Sequence, residues 1–195
     1  MNIYRNKLLN AVLFFARNTK RPNLTKTLKL LYFLDFTHFK QTGYPSIGLE
    51  YYAWEKGPVP KKFWIEMKDG IIPDDFEGKL TIFIRENQED PLSSRKELLF
   101  KAIAKPDLTV FTPREIEILE YLADVYRDTP AYLMSEVSHL RNEPWDTTKK
   151  TKGLNSPIDY LLCLDEEAKI NPDEARESLE EYFEVVNNFG IGPTQ

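Results

Sequence analysis

Cysteine and histidine are scarce here, with one cysteine and two histidines in 195 residues. The lone Cys163 closes no internal disulfide. Its place in the apolar run Leu161, Leu162, Leu164 reads as a small buried hydrophobe, not a nucleophile. His38 and His139 lie far apart in the chain, and no CxxC or HExxH spacing accompanies them, so no metal site is expected. Phosphate-cradling glycine loops and GxSxG are missing as well. Neither a catalytic set nor a cofactor is therefore expected. No apolar run is long enough to span a bilayer, so no membrane partner is expected either. The opening MNIYRNKLLNAVLFFARN interrupts its apolar residues with charge and has no small-residue cleavage site. It reads as an amphipathic helix rather than a signal peptide, which points to a cytoplasmic protein.

Acidic residues are absent from positions 1–34, which hold Arg5, Lys7, Arg17, Lys20, Arg21, Lys26 and Lys29. Positions 165–184 reverse the balance, with nine acids against Lys169 and Arg176. Solvated helix faces, or mutual attraction within the fold, account for this; so would a basic end that meets an acidic partner or nucleic acid. The overall charge of −5 weighs against dedicated nucleic-acid binding.

What is present is a core. Hydrophobic residues make up 42% of the chain and aromatics 13%, enough for an ordinary globular interior. Periodicity predicts a helix over 3–17, and a second from the N-cap Asn23 to just before Gly43. On the second helix Leu24, Thr27, Leu31, Leu34 and His38 share one arc, with Asp35 within reach of His38. Lys29, Phe33 and Phe36 lie on the opposite side. A strand is expected over 49–54, then a helix from Pro58 to Lys68 closed by Asp69-Gly70. KLTIFIR (79–85) and ELLFKAIAK (97–105) read as strands joined by the long loop ENQEDPLSSRK, with Leu80, Ile82 and Ile84 inward. Thr112-Pro113-Arg114-Glu115 combines N-cap, helix-starting proline and capping-box glutamate. A helix to about Arg127 follows, and another from Thr129-Pro130 to near His139. RNEPWDTTKKTKGLN reads as irregular. Ser156-Pro157 opens a short helix, and Asn171-Pro172 opens the last, which ends around Gly190. The class predicted is α+β, mostly helical, a single domain with a small antiparallel sheet.

The segment YYAWEKGPVPKKFW (51–64) is a sharp corner rich in aromatics. It is one of three blocks that occur in order. Lys29-Leu30-Leu31-Tyr32 with the later Gly43 forms the first. Ala53-Trp54 with Gly57-Pro58-Val59 forms the second. Ser135, Ser138, His139, Pro144 and Trp145 form the third. This ordered set resembles the Panacea domain of SocA-like antitoxins, over roughly residues 5–150. The resemblance implies a domain over 1–150, with 151–195 a helical extension packed on the same domain. It implies an antitoxin that neutralises a cognate toxin encoded nearby by direct binding, in some members by delivering it to a protease. The alternative is a DNA-binding regulator of its own operon. Lys29, Phe33, Phe36, Trp54, Gly57, Pro58, Lys61 and Lys62 are the partner-contact candidates. Tyr32, His38, Val59, His139 and Trp145 are expected to serve the fold.

Overall fold

The second helix is the element around which the rest is laid. In the computed structural model, which describes residues 2–86, 96–140 and 143–194, α2 (Leu24–Thr42) is buried along almost its whole length. Asn23 caps it by accepting from the Lys26 amide, and Gly43 ends it in the left-handed conformation at φ 78°. One side packs on α1 (Ile3–Asn18), which contributes Leu8, Leu9, Val12, Leu13 and Phe15 to the core. Another packs on α4 (Pro113–Val125), whose Thr112–Glu115 capping box forms as the sequence predicts.

A helix enclosed in this way must satisfy its ionisable groups internally. Asp35 is fully buried. Its carboxylate accepts from the amides of Ile47 (2.6 Å), Gly48 (3.1 Å) and Leu49 (3.1 Å), and from the hydroxyls of Tyr51 (2.9 Å) and Tyr160 (3.3 Å). Burial raises its pKa, and these hydrogen bonds oppose the rise. The expected contact with His38 does not form. The imidazole Nδ1 instead meets the Tyr44 carbonyl at 2.7 Å, because Asp35 faces the 47–49 turn. His38 itself is buried.

The corner segment forms a hairpin where a strand running into a helix was expected. β1 (Tyr51–Trp54) pairs antiparallel with β2 (Gly57–Pro60), and α3 (Lys61–Met67) starts only after Pro60. Pro58 and Pro60 donate no amide and so suit an edge strand. On its other side β1 meets the segment 155–158. Ala53 N donates to Ser156 O (2.9 Å), and Ile158 N to Tyr51 O (2.8 Å). Ser156-Pro157 thus continues a sheet-like contact, and the helical turn follows later, at Tyr160–Cys163.

β3 (Leu80–Glu86) and β4 (Lys96–Ala102) form a second two-stranded sheet rather than joining the first. Leu80 is inward as expected, whereas Ile84 is 56% exposed because the hairpin projects beyond the core. Their long connection, 87–95, falls outside the described residues. Thr129-Pro130 leads into the short α5 (Ala131–Val137). The stretch expected to be irregular contains α6 (Pro144–Lys152). The last helix, α7 (Pro172–Phe189), starts at its Asn171 cap, ends at Gly190, and buries Ala175, Leu179 and Tyr182. Tyr182 donates to Ile47 O at 2.9 Å, on the turn that Asp35 holds.

Of the basic N-terminal set, Arg5 is buried against Glu66 and Asp75, and Lys7 pairs with the buried Glu115. Among the described residues no helix is long and apolar enough to cross a membrane. Asp35→Ala would strand the amides of Ile47, Gly48 and Leu49 and the hydroxyl of Tyr51, while Tyr160 keeps its bond to Leu49 O at 2.6 Å. It is expected to lower the unfolding free energy by about 3–5 kcal/mol in urea titrations. A loss below about 1 kcal/mol would contradict the role given to this carboxylate.

Candidate functional site

The turn between β1 and β2 brings the backbone to Gly57 with φ +101°, a conformation that side-chain-bearing residues rarely adopt. There is also no room for a side chain. A Cβ placed here would lie 2.3 Å from Lys29 Nζ, 2.7 Å from Ser138 Oγ and 2.8 Å from His139 Nε2. Lys29 comes from α2, Gly57 from the hairpin, and Ser138 and His139 from the end of α5. The three blocks, remote in sequence, therefore close on one point.

Each member is held. Lys29, 1% exposed, donates from Nζ to the Pro58 carbonyl at 2.9 Å, and burial lowers its pKa to about 7. Ser138 Oγ donates to Ser135 O at 2.7 Å. The His139 ring stacks on Trp145 with centroids 3.9 Å apart and planes at 19°. Trp145, 4% exposed, donates from Nε1 to the Trp54 carbonyl at 2.8 Å. Burial lowers the His139 pKa, the Lys29 charge lowers it further, and a hydrogen bond with the Lys56 backbone opposes both. Its Nε2 is buried without a hydrogen-bond partner among the described residues. The result is a junction of basic and polar groups, roofed by Trp145 and closed by a glycine.

The partner-contact candidates divide. Lys61 and Lys62 are exposed, and Lys61 Nζ lies 5.5 Å above the Tyr52 ring. Trp54 is half-buried, edge-on to Trp64 at 4.9 Å. Gly57, Pro58 and Val59 are buried. Lys29 and Phe36, expected on an open side of the helix, are buried. The reason is that a second layer covers that side. Phe36 stacks on Tyr160 (4.5 Å) and packs on Tyr32 (4.3 Å), while Phe33 stacks on Tyr126 of the α4 C-cap (5.2 Å) and stays half-exposed. Tyr32 is buried in the same aromatic layer. Cys163 touches it too, and burial pushes its thiol up to about 12. Beside the Gly57 junction opens a cleft of about 720 Å3. Leu24, Trp64, Ile84, Leu98, Tyr132 and His139 are among its walls. Sequence reasoning missed this cleft because its walls come from several separate elements.

A family model described as antitoxin SocA-like, Panacea domain, matches residues 28–146, well over half of the chain. All three blocks fall inside that match. The chain belongs to this family of antitoxins. No curated protein and no solved structure matches it.

The junction makes a sharp demand on Gly57. Gly153 has a similar positive φ of +86°, yet a Cβ there would meet no atom within 4 Å. Gly57→Ala should cost at least about 2 kcal/mol more than Gly153→Ala, since both positions have positive φ and only the first adds the clash. Equal losses in thermal or urea unfolding would show that the three blocks do not close as described.

Proposed function

We propose that this protein is a cytoplasmic antitoxin that neutralises a toxin encoded nearby by binding it directly, without a catalytic step of its own. The observation that carries the reading is the family match over residues 28–146, whose three sequence blocks meet at Gly57. The polar groups at that junction support a scaffold role. Lys29 is hydrogen-bonded to the backbone and His139 is stacked under Trp145, so both are engaged in holding the corner. A hydrolytic set would instead orient its histidine by a carboxylate. A rigid corner of this kind presents the exposed Lys61, Lys62 and half-buried Trp54 on a fixed surface, which suits recognition of a protein.

Operator-DNA binding is the second reading, resting on the cations of residues 1–34. Arg5, Lys7, Lys26 and Lys29 direct their charges into the protein, which favours the protein-binding reading. Salt separates the two, because phosphate contacts weaken steeply with ionic strength and an apolar interface does not.

The test is co-expression with the product of the neighbouring gene. Expected are growth arrest by that product alone, rescue when both are made, and a complex that survives high salt on a sizing column. A neighbour that is harmless alone, or arrest that persists beside this protein, overturns the reading.

A further inference from the structure

The hairpin β3–β4 has one closed edge and one open edge, and the hydrogen bonds say which groups face each. Phe100 N donates to Pro22 O at 2.9 Å, and Leu99 is bridged to Asn23, so the outer edge of β4 is closed by the segment leading into α2. In an antiparallel ladder the N–H and C=O of a residue point the same way, and the direction alternates along the strand. Phe100 and Leu98 therefore face away from β3. Their partners in register, Ile82 and Ile84, face away from β4. The phase is fixed independently at the strand's start, where Ile103 N donates to Lys79 O at 2.8 Å, so the odd-numbered residues bond inward. The amides and carbonyls of Ile82 and Ile84 thus line the free edge of β3, and among the described residues nothing bonds to them.

This edge is flanked by apolar side chains on both faces. Ile84 is 56% exposed and joins Leu98, Trp64 and Lys68 in the wall of the large cleft. Phe83, on the other face, is 44% exposed, with Lys101 Nζ 5.8 Å from its ring and the exposed Arg85 two residues along. Proteins commonly guard exposed edges with proline, bulges, charged side chains or short strands; β3 is a seven-residue strand without proline whose charges, Arg85 and Glu86, sit only at its end.

We propose that the open edge of β3 takes up an extended segment of the toxin as an added strand. The segment is apolar where it flanks Phe83 and Ile84, and acidic where it passes Arg85. Backbone pairing to Ile82 and Ile84 supplies affinity, and the side-chain pattern supplies selectivity. The inference rests on the antitoxin reading, since the strand belongs to the toxin.

Hydrogen exchange of the full-length protein, alone and with the purified neighbouring-gene product, tests it. In the free protein the Ile82 and Ile84 amides exchange quickly, and the Phe83 amide, bonded toward β4, exchanges slowly. In the complex Ile82 and Ile84 slow by tenfold or more. A companion variant, Ile84→Pro, removes an outward amide together with the exposed isoleucine side chain, and an edge strand tolerates the loss of that amide. It should melt close to wild type and lose toxin affinity by tenfold or more, and Arg85→Glu should weaken binding without changing melting. Ile82 and Ile84 amides that stay fast in a saturated complex overturn the edge and leave the antitoxin reading standing. Protection that appears with protein concentration alone identifies a second copy of this chain and overturns the assignment to toxin. A wild-type protein that neither binds nor rescues overturns both.

Discussion

A helix buried along almost its whole length must give its enclosed charges partners inside the protein, and α2 does so three times. Lys26 Nζ donates to the carbonyls of Lys20 (2.9 Å) and Arg127 (3.0 Å). Lys29 Nζ donates to Pro58 O, and Asp35 gathers the amides of 47–49. Lys26 and Asp35 thereby hold backbone of connecting segments, and Lys29 holds a carbonyl of β2. Leaving a charge unpaired in the interior costs several kcal/mol. The buried charges of α2 therefore set the paths of the segments around it, and the helix orders the structure well beyond its own packing.

The family blocks acquire a physical meaning from this. The glycine of the corner is required because Lys29, Ser138 and His139 occupy the space of a side chain. The proline after it offers a carbonyl to Lys29, and the late tryptophan closes the assembly by stacking on His139 and bonding to Trp54 O. Most of the signature is thus turned inward. The groups left exposed beside it are Lys61 and Lys62, the cleft walled by Trp64, and the projecting β3–β4 hairpin, and the proposed recognition falls to these.

Features decided within a few residues are legible in the sequence. The caps at Asn23, Thr112 and Asn171 and the stops at Gly43 and Gly190 all form, because capping is a contact between near neighbours. The faces of α2 are legible too, but not what covers them. A helical wheel shows that Phe36 and Lys29 lie opposite Leu31, and it carries no information about Tyr160 or Pro58. α6 escapes notice because only Pro144, Trp145 and Thr148 of its nine residues are buried, so its run of lysines and threonines gives a weak apolar period. For Asp35 the sequence offers His38, one turn away, as a partner, while its real partners lie 12 to 16 residues on, together with Tyr160. β2 resembles the start of α3 because proline suits the first turn of a helix as well as an edge strand.

Closure of the three blocks requires that Lys29 be enclosed at the junction, and its ionisation reports that directly. A lysine has a pKa of about 10.4 in an unfolded chain, whereas burial lowers it to about 7 in the folded protein. Between those values the unfolded chain binds the extra proton, so stability rises with pH through this window and is lost as pH falls toward the folded value. The measurement is the unfolding free energy of wild type minus that of Lys29→Met, followed from pH 6 to 10. The difference is predicted to move in favour of the wild type as pH rises above neutrality, with a slope approaching about 1.4 kcal/mol per pH unit. Two parallel curves would mean that Lys29 keeps an ordinary pKa in water, and that the three blocks do not close around it.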